Sequence, residues 1–391
     1  MRICIIGGCG HVGLPLGLAF AAKGADVSLL DIDQSRVDET NEGRIPFVER
    51  GAEEVLTEVL KAGRLRATTD QAAQTEADVV IITIGTPLDE FLNPRVMSFE
   101  RFLDGLLERT RDGQLLVLRS TVFPSVTERL AKRAEEKGLK VDVANCPERI
   151  AQGYAMEELT RLPQLVGAAT EQAAKRAEEL FNFLGAEVLH LKPTESEMAK
   201  LFANAYRYIN FAISNQFYMM ADRLGADFNA IHAAVTKDYP RLSDFAKPGF
   251  AAGPCLLKDT MQLAAFQHNA FALGHAAMMV NEDLPVFIVD KAAAAHDLST
   301  KRAAILGMAF KGNNDDHRDS LAFKLRKLLA LRCKEVLCTD PYIKWDGFVS
   351  LEEALDKADI VFVGAMHREY QELEIRQPLY DVFDFVKGRT S

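Results

Sequence analysis

Met1-Arg2-Ile3-Cys4-Ile5-Ile6-Gly7-Gly8-Cys9-Gly10-His11-Val12-Gly13 opens the chain. Arg2 to Ile6 is an apolar run of strand length, and Gly8-Cys9-Gly10-His11-Val12-Gly13 gives the G-x-G-x-x-G spacing directly behind it. An apolar helix follows to about Lys23, a second strand reads from Asp26 to Leu30, and Asp31 closes it. A strand, a glycine turn, a helix, a second strand and an acid about twenty residues on form a dinucleotide-binding βαβ unit. Glycine lets the backbone approach a pyrophosphate, and the helix N-terminus offers it unpaired N–H groups and partial positive charge. Pro15 falls in the first turn, where its missing N–H costs little. Asp31 can accept from both ribose hydroxyls and would repel a 2′-phosphate, which predicts NAD rather than NADP.

Further parallel strands read at Asp78 to Ile84, Gln114 to Leu118 and Lys140 to Ala144. Each ends in polar residues: Gly85-Thr86-Pro87, Arg119-Ser120-Thr121 and Asn145-Cys146-Pro147-Glu148-Arg149. Ligands of open α/β sheets bind at the carboxyl ends of strands, so these loops should face the nicotinamide half of the cofactor, with Thr121 and Glu148 as candidates for touching substrate. Glu195 to Leu224 then reads as one long helix, a connector and subunit interface. Lys200 and Asn204 lie four apart on one face, and Asn210 falls away from it. Helical segments through Ala233 and from Cys255 to about His296 complete a helical middle domain. The last section returns to α/β: strand Ala303 to Leu306, helix Leu321 to Leu331, and strands Glu335 to Cys338 and Ile360 to Val363. It lacks the glycine turn, so no second dinucleotide is assigned there; its phosphate-facing charges are Lys311 and Arg318. The expected fold is α/β with an N-terminal Rossmann domain (1–192), a central helical domain with the long helix (193–297) and a C-terminal Rossmann-like domain (298–391).

At 391 residues and 48% hydrophobic, the chain can fill two or three cores. A formal charge of −10 argues against binding a phosphate backbone, which needs clustered positive charge. No run of about 18 apolar residues occurs and the chain enters a fold signal at once, so a soluble cytoplasmic protein is expected. The six cysteines lack the paired spacings of zinc sites or a disulfide framework, so no metal is expected.

One cysteine has a reactive setting. Gly253-Pro254-Cys255-Leu256-Leu257-Lys258-Asp259 reads as a helix start, with Pro254 at the first helical position and Cys255 in the first turn. Unsatisfied N–H groups and the helix dipole stabilise a thiolate there, and Lys258 and Asp259 sit one turn on. A thiolate beside NAD suits aldehyde oxidation: addition gives a thiohemiacetal, oxidation a thioester, and water releases the acid. Lys200 and Asn204 fit the cation and amide that an oxyanion requires. Asp259 or Glu148 would activate the water.

The ordered motifs Gly8 to Gly13 with Asp31, Gly85-Thr86-Pro87, Ser120-Thr121, Pro147-Glu148, Glu197 to Asn204, Pro240-Arg241, Cys255 to Asp259 and Phe310-Lys311 to Ser320 resemble the UDP-sugar 6-dehydrogenase family over nearly the whole chain. The resemblance implies a homodimer that oxidises C6 of a UDP-sugar with two NAD, in a surface-glycan pathway. It makes Cys255 the nucleophile, Lys200 and Asn204 the oxyanion partners, and Thr121, Glu148 and Asp259 the groups that position water and protons. Gly8, Gly10, His11, Val12, Gly13, Asp31, Arg36, Thr86, Thr121, Lys258 and Arg318 would hold the cofactor. Glu148, Arg149, Lys200, Asn204, Phe245, Lys247, Gly253 and Lys311 would hold the substrate, with Arg241 reaching the partner subunit's sugar. The approach Gly249-Phe250-Ala251-Ala252-Gly253-Pro254 is bulkier than the family pattern. Gln152 stands where glucose-specific members carry a second glutamate, and Cys146-Pro147-Glu148-Arg149-Ile150 is similar to members acting on UDP-N-acetylhexosamines. These features favour UDP-N-acetylmannosamine or UDP-N-acetylglucosamine over UDP-glucose. A two-electron dehydrogenase of the 6-phosphogluconate or hydroxyacid kind and a non-catalytic nucleotide-sugar-binding protein are the alternatives.

Overall fold

Val79–Ile82 (VVII) and Leu115–Leu118 (LLVL) bury all four of their side chains. Uninterrupted apolar runs of this length become central strands of a parallel sheet covered on both faces. With Arg2–Ile6 as β1, Asp26–Leu30 as β2 and Leu65–Thr68 as β3 they are β4 and β5, and Asp142–Asn145, Gln164–Ala168 and Val188–Leu191 follow as β6, β7 and β8. The sheet runs β3-β2-β1-β4-β5-β6-β7-β8. Every pairing is parallel except β6 with β7. Strand order reverses between β1 and β4, which opens the ligand crevice of a doubly wound sheet at their carboxyl ends. Helix Gly13–Ala22 packs Leu14, Leu16, Leu18 and Phe20 into the core beside Ile3 and Ile5.

The structure is a computed structural model and describes residues 1–389. The first strand, turn and second strand stand where the sequence put them, and the strands read at 78–84, 114–118 and 140–144 are shorter or shifted by a residue or two. Strands β3, β7 and β8 were not legible. In β8 the two middle side chains, Leu189 and His190, are exposed, so this edge strand presents no apolar run.

The long helix is Pro193–Arg223, 31 residues. The chain divides into two compact units within it, Met1–Ala203 and the part from Asn204 onward. In the second unit, the helical stretch expected from Cys255 to His296 is two helices, Leu256–Phe266 and Ala272–Ala295. His268 (φ 50°) and Asn269 (φ 58°) take the left-handed conformation between them and end the first. Strands β9 (Arg302–Leu306), β10 (Glu335–Thr339), β11 (Ile360–Val363) and β13 (Leu379–Tyr380) form a parallel sheet in the order β10-β9-β11-β13, and β12 (Glu374–Ile375) pairs with β14 (Gly388–Arg389). Leu284, Ile288 and Val289 of the preceding helix share a core with Ala303 to Leu306 and Ile360 to Val363. Among the described residues no helix is long and apolar enough to cross a membrane.

Candidate active site

The glycines of the opening turn do different work. A side chain at Gly8 would stand 2.7 Å from the Ile5 carbonyl, and one at Gly13 would stand 2.5 Å from the Gly7 carbonyl, so both serve close packing. Among the described residues a side chain at Gly10 would meet just the Gly7 carbonyl, at 3.4 Å, which leaves that side of the turn open to a ligand. The helix behind it starts after Val12 with no side-chain cap, so its first N–H groups have no side-chain partner there. Asp31 Oδ2 accepts the Cys9 N–H (3.0 Å) and Oδ1 the Asp33 N–H (3.2 Å), which places its carboxylate beside the turn. These features fit a dinucleotide. His11 packs on Phe47, ring centroids 4.1 Å apart, and Arg36 pairs with Asp33 at 3.4 Å. Ile32, next to Asp31, is 94% exposed. The sequence reading passed over it, although an apolar residue just after the ribose acid was a visible signal.

The other loops at this edge of the first unit are tied to each other. Thr86 Oγ1 donates to the Thr121 carbonyl (2.7 Å) and Ser120 Oγ to the Ile84 carbonyl (2.7 Å). Arg119 is wholly buried: Nε and Nη2 donate to Glu148 Oε2 (2.9 and 2.6 Å), and Nη1 donates to the Cys146 carbonyl (2.9 Å) and to Gln164 Oε1 (2.8 Å). Glu148 Oε1 accepts the Arg149 and Ile150 N–H groups (2.6 and 2.8 Å), so both carboxylate oxygens already serve donors. Glu197 of the long helix is buried among the N–H groups of Ser125 (2.6 Å) and Thr127 (2.8 Å) and the Thr127 hydroxyl (2.6 Å). Burial raises its carboxyl above the usual range, opposed by those donors. Arg119, Gln164 and Glu197 were missed. The signal for Arg119 was a charge directly after a fully apolar strand.

In the second unit Cys255 is the N-cap of helix Leu256–Phe266, two positions before the one assigned to it from Pro254. Pro254 therefore precedes the cap, and the thiol keeps its place at the positive end of the helix. Cys255 is exposed, whereas Cys4, Cys9, Cys146 and Cys338 are buried and Cys333 partly so. Burial pushes Cys4 and Cys146 up to about 12 and Cys9 and Cys338 up to about 11. Those four are inert by comparison.

One turn on, Asp259 is fully buried, pairs with Lys258 and accepts a hydrogen bond from Asn204 Nδ2. Asn204 is itself buried, and Lys200 stands one turn earlier in the long helix. Gly253 adopts φ 97°, donates to the Asp319 carbonyl (3.2 Å), and has the Phe310 ring 2.4 Å from where a side chain would begin. The bulk of the Gly249 to Gly253 approach turns into the core: Phe250 is 9% exposed and packs edge-on against Phe383, centroids 5.6 Å apart. Arg318 grips Asp316 through Nε and Nη2 (2.9 and 2.6 Å). Hydrogen bonding to Asp316 raises this guanidinium above its ordinary value against burial, and the charges of Asp316, Cys255 and Asp319 add to the effect.

Cys255, Lys258, Asp259, Asn204, Gly253 and Arg318 are thus joined in a few contacts. The other candidates make contacts of their own. Arg241 and Lys247 are exposed, Arg241 with its guanidinium 5.4 Å from the Tyr239 ring centre. The Phe245 ring stacks on His232 (4.9 Å) and meets Phe217 and Phe228 edge-on. Lys311 Nζ is 5.9 Å from the Phe310 ring centre, Arg149 donates to the Pro163 carbonyl, and Asn210 donates to the Asp244 carbonyl (2.6 Å).

Three profiles of the UDP-glucose/GDP-mannose dehydrogenase family match the chain: its NAD binding domain over residues 1–184, its central domain over 194–283 and its UDP binding domain over 304–386. A UDP-N-acetyl-D-mannosamine dehydrogenase of Pyrococcus horikoshii is 32% identical over 384 residues, covering 95% of this chain and 90% of the relative. Among solved structures, a UDP-D-ManNAc dehydrogenase from Pyrococcus horikoshii superposes with a TM-score of 0.92 at 29% identity, covering 100% of this chain and 97% of the other. A UDP-glucose dehydrogenase from Pyrobaculum islandicum gives 0.91 at 27% identity, covering 99% and 95%.

Proposed function

This chain belongs to the UDP-glucose/GDP-mannose dehydrogenase family, an NAD-dependent nucleotide-sugar dehydrogenase, and we propose that it oxidises C6 of a UDP-N-acetylhexosamine to the uronic acid through a thioester on Cys255. The observation that carries the proposal is the exposed thiol at a helix N-terminus beside the buried Asn204–Asp259 pair and the partly buried Lys258. NAD, when bound, accepts hydride from C6 in each of the two oxidations. In the first, the proton leaves the C6 hydroxyl and an aldehyde forms. Cys255 Sγ then adds to that aldehyde, and Lys200 with the Asn204 amide stabilises the oxygen that gains charge. Oxidation of this thiohemiacetal gives the thioester; water adds to its carbonyl, the C–S bond breaks, and the thiol is released with the acid. Thr121 and Asp259 position that water and its protons. With both its oxygens engaged, Glu148 contributes by fixing the loop that carries Arg149.

The sugar is assigned as UDP-N-acetylmannosamine or UDP-N-acetylglucosamine on the Cys146 to Ile150 run and the likeness to UDP-N-acetylmannosamine dehydrogenases. Overall fold does not separate the sugars, since a UDP-glucose dehydrogenase superposes about as well. A homodimer is supported by the long helix, which leaves Phe202, Tyr206, Ile213, Phe217 and Met220 exposed at 50, 57, 44, 49 and 50%. In such a dimer Arg241 would serve the partner subunit's sugar.

Incubating the purified protein with NAD and a panel of UDP-sugars, while counting NADH per sugar consumed, tests the reading. Two NADH per UDP-N-acetylhexosamine is expected. One NADH with a ketone product selects a two-electron dehydrogenase, and tight UDP-sugar binding without NADH selects a binding protein. A separate expectation concerns Asp31. Asp31→Ala removes the ribose acceptor and the Cys9 N–H partner, and hydrogen bonds to charged groups are worth about 1.5–3 kcal/mol. The KM for NAD should rise about 10- to 100-fold by the same conversion, while the preference over NADP shrinks. An unchanged NAD to NADP ratio would remove Asp31 from the ribose site.

A further inference from the structure

The second sheet holds a buried aspartate–histidine pair that the chemistry at Cys255 does not use. Asp340 follows β10 and His367 lies shortly after β11, both side chains wholly buried, with His367 Nε2 3.0 Å from Asp340 Oδ2. His367 Nδ1 accepts the Asn313 N–H at 2.9 Å. Since Nδ1 is an acceptor, the ring proton sits on Nε2 and is donated to Asp340.

Asp340 gathers more of the same edge. Its Oδ2 accepts the N–H groups of Met308 (2.6 Å) and Ala309 (3.1 Å), and Oδ1 those of Tyr342 (2.8 Å) and Ile343 (3.0 Å). Burial pushes its carboxyl upward, but His367 and the Met308 and Tyr342 N–H groups outweigh it and hold Asp340 below the usual range. Asn313 adopts a left-handed φ of 54° and accepts the Arg368 N–H on Oδ1 at 2.8 Å. At Gly312 a side chain would begin 2.1 Å from the Met366 carbonyl. The segments after β9, β10 and β11, three adjacent strands, are therefore all anchored on one imidazole and one carboxylate. They lie at the carboxyl ends of a parallel sheet, where such folds bind ligands, and Lys311 sits within the first of them.

We propose that His367 is a positioning residue for nucleotide binding: through Asn313 and Asp340 it sets the backbone path of Lys311, Gly312 and Asn313, and with it the affinity for the diphosphate of the substrate. This rests on the reading of the substrate as a UDP-sugar. Imidazole is suited to the role because it presents an acceptor and a donor on opposite sides of one rigid ring. An asparagine amide reaches the Nδ1 position and a glutamine amide the Nε2 position; neither spans both.

The test is titration of the full-length protein with UDP and, separately, NAD, followed by steady-state kinetics and melting. His367→Asn and His367→Gln are expected to weaken UDP binding and raise the KM for the UDP-sugar by about 2- to 10-fold, the range of one lost hydrogen bond. kcat should stay within about twofold and NAD affinity should not change. Asn313→Gly keeps the left-handed backbone and the N–H to His367 but loses the Arg368 link, so a smaller loss of UDP affinity is expected, and this variant decides the matter should the His367 variants not fold. Wild-type UDP affinity in all folded variants overturns the proposal, as does an equal loss of UDP and NAD affinity. Failure of the wild-type protein itself to bind UDP overturns the substrate reading instead.

Discussion

Cys255→Ala is expected to lower turnover by about 10⁴-fold or more, with NAD and UDP affinity unchanged, because losing a nucleophile removes a covalent step that no neighbour can supply. The other cysteines are buried or partly buried, and the four deepest have thiols pushed up to about 11 or 12, so none can substitute. Cys255→Ser separates nucleophilic attack from release. A hydroxyl at the N-cap is a weaker nucleophile, and the ester it forms has a poorer leaving group than a thioester, so slow turnover with a sugar ester accumulating on the protein is expected. Intact-protein mass measurement after mixing with NAD and UDP-sugar reads that directly. Full NADH production by Cys255→Ala would exclude thioester chemistry.

Asp259→Ala should reduce both stability and rate. The carboxylate is fully buried, pairs with Lys258, which is only 16% exposed, and accepts from Asn204. Removing it strands a half-desolvated ammonium and a buried amide, and breaking a buried pair costs about 3–5 kcal/mol. For a chain of this size that amounts to a fall of roughly 6–20 °C in melting temperature, at about 2–4 °C per kcal/mol. Asp259→Asn preserves shape and an acceptor for Asn204 while removing the charge. It should melt closer to wild type and yet lose about 100-fold in kcat, if Asp259 acts on water and protons as well as on packing. Equal kcat in wild type and Asp259→Asn would reduce Asp259 to a structural role.

The chain's local chemistry was legible and its long-range pairings were not. The glycine spacing, Asp31 and the apolar runs of β1, β4 and β5 announce the first sheet, because each is written in fewer than ten consecutive residues. Cys255 could be read as reactive from Gly253 to Asp259, although the helix starts two residues later than Pro254 suggested. Asn204 and Asp259 are 55 positions apart, and only likeness to a family of known layout joined them. Nothing in the sequence joined Glu197 to Ser125 across 72 positions, or His367 to Asp340 across 27. Periodicity specifies what kind of element a segment forms, and the meeting of two loops is decided by which strands become neighbours. The Phe250 to Gly253 approach shows the same limit: its bulk is visible in the sequence, but the Phe383 ring against which Phe250 packs is not.

Arg119, Glu148 and Gln164 come from the ends of β5, the loop after β6 and the start of β7, and they constrain one another's history. Arg119 alone serves Glu148, Gln164 and the Cys146 carbonyl through three nitrogens of one planar group, a geometry that lysine cannot reproduce. A single replacement at 119 or 148 leaves the other charge buried and uncompensated. The three positions are therefore epistatic: neutral drift must cross them jointly or not at all. A mutant library aimed at the substrate loops will recover folded variants only where 119, 148 and 164 are randomised as one codon set.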